Sequence, residues 1–297
     1  MISEESVFVK TPKVSVLMPV FNTQESHLRE AIESILSQTC TDFEFLILND
    51  ASTDANVERI VKSYDDSRIF YSVNEKNLGI SNTRNRLIEK ARGDYLAVVD
   101  HDDVSLPDRL AMEAAYLDEH PETGVVSAFI DIRSDTKNMI LKMPESSDEI
   151  KKALMIDCFI SHPACMIRRS VLIDYNVRYE SRYSPAEDYA LFCRLINKTE
   201  FYNIQKVLLN YRNHLDNTSH LKQREMQNAA FAIQGFARRE NPDLWDFARF
   251  NVFKKHRFLL FKYLKILKIE ETIDRMDFYL FSCIPLFSIQ KGRDQRK

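Results

Sequence analysis

The chain has 297 residues, of which 44% are hydrophobic and 29% charged, a mixture typical of a soluble globular protein and not of a disordered one. Its 41 Lys and Arg against 44 Asp and Glu give a net charge of -3, which disfavours a nucleic-acid-binding protein. Neither GxGxxG nor GxxxxGK[ST] occurs, which excludes a Rossmann dinucleotide fingerprint and a P-loop. The five scattered cysteines, without any CxxC, predict buried thiols in a reducing cytosol.

Short apolar strands alternate with amphipathic helices over the first 130 residues. Strands are predicted at 14–18, 43–48, 69–73, 94–99 and 124–130, and helices at 26–38, after the capping residues 52–54, at 80–91 and at 107–120. Continuously apolar strands joined by helices indicate a parallel sheet that is covered on both faces. The sequence therefore predicts an α/β fold for residues 13–130.

The remainder of the chain has a different pattern. From 131 to 220 strands are predicted at 163–167 and 206–212 and a helix at 187–197, and beyond 220 the pattern is helical. In a helix over 252–269 the basic residues lie within an arc of about 160°. Such a helix either lies on an anionic membrane surface or packs on the preceding part of the chain with its lysines in solvent. No apolar run reaches the length of a membrane span, and the N-terminus is not a secretory signal.

Polar residues follow three of the predicted strands at their carboxyl ends. Asn22 follows the first strand, Asn49 and Asp50 end the second, and Asp100 to Asp103 follow the fourth. Ligands of open α/β sheets bind at this edge. The sequence therefore predicts a binding site there.

Two groups of acidic residues could carry chemistry. Asp100, Asp102 and Asp103 would repel one another unless a hard cation such as Mg²⁺ or Mn²⁺ bound them, and the alternative is a solvated acidic turn. Glu187 and Asp188 open a predicted helix, where acids are favoured by the helix dipole in any case. The functional alternative for Asp188 is a general base that removes a proton from an alcohol.

Seven ordered motifs resemble the family 2 glycosyltransferases, which are inverting enzymes with a GT-A fold. They are PVFN at 19–22, SILSQT at 34–39, FEFLILNDASTD at 43–54, NLGISNTRN at 77–85, ARGDYLAVVDHDD at 91–103, PDRL at 107–110 and AEDYALFCRL at 186–195. The resemblance covers about residues 13–215. It implies a mostly parallel central sheet flanked by helices, as in nucleotide-diphospho-sugar transferases, with a helical C-terminal extension. The implied domains are a GT-A catalytic domain at 1–220, with a nucleotide-binding half at 13–130 and an acceptor half at 131–220, and a basic extension at 221–297.

The resemblance also implies a role for individual residues. The implied nucleotide-binding residues are Pro19, Val20, Phe21, Asn22, Asp50, Asn77, Arg84, Asp100 and His101. Asp50 would accept a hydrogen bond from uracil, Arg84 would lie near the diphosphate, and Asp100 would contact the ribose. The implied metal ligands are Asp102, Asp100 and His214, where a surface histidine is the alternative for His214. Asp188 would be the catalytic base with Glu187 beside it, and His162 would face the acceptor.

The implied activity is transfer of a hexose or N-acetylhexosamine from a UDP-sugar, with Mn²⁺ or Mg²⁺, to a hydroxyl of a glycan or lipid-linked saccharide. The resemblance is to the bacterial surface-polysaccharide type, which implies polysaccharide or lipopolysaccharide synthesis in the cytoplasm. Peripheral contact with the inner face of the membrane would use residues 252–297. The alternatives are a nucleotidyltransferase acting on sugar phosphates and a non-catalytic nucleotide-sugar-binding protein. One departure from the family pattern is Ala51, which replaces the usual glycine and is tolerable where the backbone angle is ordinary.

Overall fold

The computed structural model describes residues 11–134, 138–214, 217–254, 267–271, 275–280 and 284–290. Its contacts divide the chain into two compact units, Met1–Ala237 and Arg238–Lys297. The expected boundary after residue 220 falls inside the first unit. The reason is that the helix starting at Gln223 packs on this unit, where the Gln234 side chain donates a hydrogen bond to the carbonyl of Ile156 (2.8 Å).

Strands and helices alternate at the start of the first unit. In chain order they are β1 (Val14–Val20), α1 (Glu25–Leu36), β2 (Phe43–Asn49), α2 (Asn56–Lys62), β3 (Ile69–Val73), α3 (Ile80–Lys90) and β4 (Tyr95–Val98). Every residue of β1, β2 and β4 is buried, as expected for central strands that are covered on both faces. The strands and helices predicted for this half of the chain are confirmed.

The second half of the unit adds short strands between helices. These elements are β5 (Val104–Ser105), α4 (Arg109–Glu119), β6 (Thr123–Arg133), β7 (Met139–Leu141), α5 (Ser147–Ala153), β8 (Met166–Arg168), α6 (Arg169–Asp174), α7 (Glu187–Leu195) and β9 (Glu200–Arg212). The strand predicted at 163–167 is wrong at its start, where His162–Ala164 forms a turn of 3-10 helix. Pro163 explains the difference, because it lacks the backbone N–H that a strand needs and favours the first turn of a helix.

Among the described residues nine strands form one mixed sheet in the order β3-β2-β1-β4-β8-β6-β9-β5, with β7 paired to β6. β3, β2, β1 and β4 are parallel, whereas β8 runs antiparallel to both β4 and β6. The expected α/β sheet flanked by helices is confirmed. The parallel arrangement brings the carboxyl ends of β1, β2 and β4 to one edge.

The C-terminal part begins with helices and ends with strands. α8 (Thr218–Leu221), α9 (Gln223–Glu240) and α10 (Pro242–Lys254) confirm the helical extension, and β10 (Leu267–Glu271), β11 (Arg275–Leu280) and β12 (Ile284–Gln290) then form an antiparallel sheet. The helix predicted over 252–269 is therefore wrong at its C-terminal end. The sequence from 267 to 290 is rich in aromatic and β-branched residues, which favour strands.

Residues 255–266 and 291–297 lie outside the described residues, and they carry much of the basic charge on which the predicted membrane contact depends. In the part of the chain that is described, no helix has the length and apolarity needed to cross a bilayer. The contact through 252–297 stays a prediction.

The loop after β2 contains a residue with a left-handed backbone. Ala51 has φ 56°, which is in the left-handed region. The expectation that alanine replaces glycine here at an ordinary backbone angle is therefore wrong. The left-handed region brings Cβ close to the following carbonyl oxygen, a conflict that glycine does not have. The strained residue follows Asp50 directly, whose backbone N–H donates to the carbonyl of Val20 (2.8 Å).

We expect Ala51→Gly to raise the free energy of unfolding by roughly 0.5–1 kcal/mol. The strain energy removed with the Cβ atom exceeds the stability lost because glycine raises the conformational entropy of the unfolded chain. Urea denaturation measures the change. Ala55→Gly is the matched control, since Ala55 has φ -64° and gains nothing from glycine. Equal effects of the two substitutions would contradict the account.

Candidate active site

The carboxyl ends of β1, β2 and β4 open into a cavity of about 710 Å³. All residues to which the family resemblance gives a role line this cavity, namely Pro19, Val20, Phe21, Asn22, Asp50, Asn77, Arg84, Asp100, His101, Asp102, His162, Glu187, Asp188 and His214, whereas the candidate cation ligand Asp103 does not. They come from strand ends in the first half of the sheet, from α3 and the loop before it, from the 3-10 turn at His162–Ala164, from the start of α7 and from the segment after β9. The cavity therefore joins both groups of acidic residues.

The loops after β1 and β2 are fastened to each other by Asn22, which has φ 46°. Its side-chain oxygen accepts hydrogen bonds from the backbone N–H of Thr53 (2.9 Å) and from the Thr53 hydroxyl (3.2 Å). Its own backbone N–H donates to the hydroxyl of Ser52 (3.1 Å). Asparagine tolerates this backbone angle better than most residues, which suits it to the position.

Asp50 is buried and holds the turn that precedes α3. Its Oδ1 accepts from the amide of Asn74 (2.7 Å) and the backbone N–H of Leu78 (2.9 Å), and its Oδ2 accepts from the N–H of Gly79 (2.9 Å). Gly79 has φ 79° and also donates to the side chain of Asn77 (3.1 Å). Oδ2 keeps capacity for one further donor, such as the imide N–H of a pyrimidine base.

Two carboxylates of the acidic loop after β4, those of Asp102 and Asp103, lie in different environments. Asp102 faces the cavity, and its Oδ2 lies 3.1 Å from Nε2 of His214. Asp103 is buried behind the loop, where Oδ1 accepts from the backbone N–H of Arg212 (2.8 Å) and Oδ2 has no hydrogen-bond partner. Burial and the neighbouring Asp102 and Asp100 carboxylates raise the pKa of Asp103 well above its usual range. Asp103 therefore supports β9 and does not line the cavity.

The pair formed by Asp102 and His214 fits a divalent cation. Adjacent ligands of an octahedral ion with bonds of about 2.1 Å lie roughly 3 Å apart, close to the 3.1 Å between the two donor atoms. In the part of the chain that is described, no three His, Cys, Asp or Glu side chains form a complete metal cage. Two protein ligands are nevertheless usual where waters and substrate phosphates complete the coordination. The carboxylate is a ligand type that Mg²⁺ and Mn²⁺ share, whereas an imidazole is typical of transition metals, so of these two ions the pair favours Mn²⁺.

Arg84 bridges the two acidic groups across the wall of the cavity. Its Nη1 donates to Oε1 of Glu187 (2.6 Å) and its Nη2 donates to Oδ1 of Asp100 (3.0 Å). Burial alone would lower the pKa of Arg84, but the carboxylates of Asp100 and Glu187 outweigh burial and raise it above the ordinary value. Two donors of the guanidinium are therefore engaged by protein carboxylates, Nε is buried without a hydrogen-bond partner, and the contact of Arg84 with a diphosphate stays a prediction.

Asp188 lies at the start of α7 and faces the cavity. Its Oδ1 accepts from the backbone N–H of Tyr189 (2.8 Å). Burial and then the neighbouring Glu187 carboxylate raise the pKa of Asp188 to about 6, against the lowering effect of Arg84. A carboxylate with a pKa this close to neutrality suits a general base.

The two remaining predicted histidines occupy the cavity wall. Nε2 of His162 lies 2.8 Å from the hydroxyl of Tyr179, and burial holds the pKa of His162 well below its usual range, so the ring is neutral. His101 has a buried Nδ1 without a hydrogen-bond partner. His162 has the surroundings of a packed, neutral histidine with part of its ring at the cavity, and its role toward an acceptor stays a prediction.

Several further residues line the cavity that no sequence motif indicated. His27 of α1 places its ring 5.6 Å from that of His214, and Thr218, Lys222 and Met226 line the side formed by α8 and α9. Thr218, Lys222 and Met226 follow one another at intervals of four residues, a helical spacing that could have been recognised from the sequence. What could not be recognised is that this helical face lies against the acidic loops, since that depends on tertiary contacts.

Comparison with known proteins gives a family match. A sequence model described as glycosyl transferase family 2 matches residues 15–175, more than half of the chain. An uncharacterized glycosyltransferase of Methanocaldococcus jannaschii is 34% identical over 207 residues, which cover 68% of this chain and 71% of that protein. The family match covers β1 from Ser15 onward, β2, β4 and the acidic loop after β4.

Solved structures show the same fold at lower sequence identity. TarS residues 1–349 of S. aureus, in complex with UDP-GlcNAc, has a TM-score of 0.59 and 16% identity, covering 95% of this chain and 100% of that one. The mannosyltransferase PcManGT of Pyrobaculum calidifontis, in complex with GDP-Man and Mn²⁺, has a TM-score of 0.55 and 15% identity, covering 84% of this chain and 76% of that one. These likenesses support the expected GT-A fold.

Proposed function

The chain belongs to glycosyltransferase family 2, and on that basis we propose that it is a metal-dependent, inverting transferase of a nucleotide-activated sugar. The proposed donor is a UDP-hexose or UDP-N-acetylhexosamine and the proposed acceptor is a hydroxyl of a glycan or lipid-linked saccharide. The observation that carries the proposal is one cavity lined both by Asp188 and by the pair of Asp102 and His214. A proton acceptor and a cation site thus share the space into which a donor would fit.

The nucleotide would bind at the carboxyl ends of β1 and β2. There Asn22 fixes the loops to each other, and Asp50 offers Oδ2 to the base. Solved relatives of the fold carry UDP-GlcNAc in one case and GDP-Man with Mn²⁺ in another. Both are nucleoside diphosphate sugars, which supports this donor class, and the choice of UDP follows the family resemblance of the motif around Asp50.

The mechanism is a single displacement in which Asp188 accepts the proton of the acceptor hydroxyl. The acceptor oxygen forms a bond to the anomeric carbon as the bond from that carbon to the diphosphate oxygen breaks, and the electron pair leaves with UDP. Attack from the face opposite the leaving group inverts the configuration. A cation held by Asp102 and His214 would neutralise charge on the diphosphate. Arg84 keeps Glu187 in place beside the base.

A thermal-shift screen of UDP-, GDP- and dTDP-sugars with and without Mn²⁺ tests the donor. A ligand that binds the folded state raises the melting temperature, and we expect UDP-sugars to do so only when Mn²⁺ is present. Product analysis then separates the reactions, because sugar transfer releases UDP whereas nucleotidyl transfer releases pyrophosphate. Donor binding without any turnover would favour a non-catalytic binding protein.

We expect kcat to fall by about tenfold for each pH unit below about 6 and to level off above it, because the base must be unprotonated to act. The midpoint follows the raised pKa of Asp188, which is about 6. Donor affinity at saturating Mn²⁺ is measured at each pH as the control. A rate that stays constant down to pH 4.5, with donor affinity unchanged, would contradict the assignment of the base.

We also propose that the reaction belongs to surface polysaccharide or lipopolysaccharide synthesis, at the cytoplasmic face of the membrane. The support is the family resemblance and the composition of residues 251–297, with eleven Lys and Arg against five Asp and Glu. A basic segment of this kind is attracted to anionic lipid. Sedimentation of the full chain with anionic and with neutral vesicles tests the contact.

A further inference from the structure

The cavity holds more negative than positive side chains. Five carboxylates line it, those of Asp50, Asp100, Asp102, Glu187 and Asp188. Among the described residues, the Lys and Arg side chains that line it are Arg84 and Lys222. A diphosphate that enters this cavity needs cationic partners beyond one metal ion, because the carboxylates would repel it.

The positive charge of Arg84 is already balanced by two protein carboxylates. Its guanidinium is buried and is held at 2.6 Å by Glu187 and at 3.0 Å by Asp100. Opening either pair would leave a carboxylate or the guanidinium buried without its counter-charge, which is strongly destabilising. Arg84 therefore holds the two acidic groups together, and its charge does not offset the remaining carboxylates of the cavity.

Lys222 differs from Arg84 in its exposure and in its ion pairing. It is exposed, and no ion pair engages its ammonium group among the described residues. Thr218, Lys222 and Met226 line the cavity at intervals of four residues, and the backbone N–H of Lys222 donates to the carbonyl of Thr218 (2.9 Å). One face of the helical segment from 218 to 226 is thus turned toward the cavity.

The start of this segment is fixed close to the proposed metal site. The amide of Asn217 donates to the carbonyl of Arg212 (2.9 Å) and to the hydroxyl of Tyr211 (3.1 Å), and its Oδ1 accepts from the N–H of His214 (2.7 Å). Thr218 and Lys222 lie about 6 Å apart along the helix axis, a span that a lysine side chain can cover. An ammonium group on a flexible stem is a common partner for phosphate.

We propose that Lys222 binds a phosphate oxygen of the donor diphosphate, from the side of the cavity formed by α8 and α9, and that it is the cationic side chain which stabilises the leaving group. This inference rests on the proposed function, because it takes a nucleoside diphosphate as the ligand. The segment after β9 would then contribute two residues to donor binding, His214 through the cation and Lys222 through the phosphate. The same chemistry would suit a phosphate carried by the acceptor, and the test separates the two sources.

The experiment compares UDP with UMP by titration calorimetry of the full chain at saturating Mn²⁺. For Lys222→Met we expect the affinity for UDP to fall by about tenfold to a hundredfold, with UMP much less affected, because the lost contact is one charge-assisted hydrogen bond to the diphosphate. Lys222→Arg is expected to restore most of the affinity. Lys90→Met, which removes an exposed lysine of α3 that does not line the cavity, is the matched control.

Two results would overturn the inference. An unchanged affinity of Lys222→Met for UDP would exclude the donor diphosphate as the ligand and leave a phosphate of the acceptor as the remaining source. Equal losses for UDP and UMP would indicate a general disturbance of the cavity. Failure of the unmodified protein to bind any nucleoside diphosphate would instead contradict the proposed function itself, so the two failures are distinguishable.

Discussion

Asp188→Asn is expected to reduce sugar transfer by about 10²- to 10⁴-fold, while the affinity for the donor nucleotide changes by no more than about twofold. The amide occupies the space of the carboxylate and keeps an oxygen for the backbone N–H of Tyr189, which donates to Asp188 at 2.8 Å. What it cannot do is accept the proton of the acceptor hydroxyl. The measurement is the initial rate of UDP release, together with the dissociation constant of UDP.

The same substitution is expected to stabilise the protein. Burial raises the folded-state pKa of Asp188 to about 6, so ionisation of this group costs stability at higher pH. Above pH 6 we expect Asp188→Asn to raise the free energy of unfolding by about 1–2 kcal/mol. The gain fades as the pH falls from about 6 through the ordinary pKa of an aspartate, and it is gone below about pH 3, where the carboxyl is protonated in both the folded and the unfolded state. Urea denaturation at pH 8 and about pH 3 measures both limits.

Asp157→Asn is the matched control for both effects. Burial also raises the pKa of Asp157 to about 6, and its Oδ1 accepts from the backbone N–H of Cys158 (2.8 Å). Asp157 does not line the cavity, so its amide should stabilise the protein to a similar degree without loss of transfer. Retention of full transfer activity by Asp188→Asn, or an equal loss in Asp157→Asn, would show that Asp188 is not the base.

Asp102→Asn is expected to remove the Mn²⁺-dependent part of UDP binding and to lower turnover by about 10²- to 10³-fold. The neutral amide is a much weaker ligand for a hard cation, and His214 alone does not hold the ion in this site. The measurement is UDP affinity across a titration of Mn²⁺. In Asp102→Asn the affinity should no longer depend on Mn²⁺ concentration.

Asp103→Asn makes the same chemical change one residue away. Asp103 has one oxygen bonded to the backbone N–H of Arg212, which an amide oxygen can replace, and a second oxygen that is buried without a partner. Because this side chain does not line the cavity, we expect normal Mn²⁺ dependence and near-normal turnover. If the effects of the two substitutions were exchanged, the cation would lie on the opposite side of the loop from the one proposed.

The parallel half of the fold is predictable from the sequence because each of its strands and helices has a recognisable pattern within its own residues. The continuous apolar strands from Val14 and from Phe43 have a pattern that only a doubly covered sheet explains, and polar residues at their ends indicate the edge that binds a ligand. The sheet topology brings strand-end residues such as Asp50 and Asp102 to one edge, whereas Asp188, on a helix beyond the parallel half, is assigned to the same site only by the resemblance to the family 2 glycosyltransferases.

Other features depend on tertiary contacts that have no local pattern. Nothing near Arg84 in the sequence indicates that Glu187 and Asp100 occupy its guanidinium, and this pairing changes what the residue can bind. The separate environments of Asp102 and Asp103 likewise depend on Arg212 and His214, more than a hundred residues away. β10 was missed because Lys268 continues the helical spacing of the lysines before it, and the aromatic and β-branched residues of β11 and β12 were not recognised as a strand signal.

The stereochemistry of donor hydrolysis tests the central claim most directly, since water can replace an acceptor that has not been identified. Proton NMR would follow an α-linked UDP-sugar from the donor screen, in the presence of Mn²⁺, on a time scale shorter than mutarotation. A single displacement with Asp188 as the base predicts that the free sugar appears first as the β anomer, together with one equivalent of UDP. First appearance of the α anomer would contradict it.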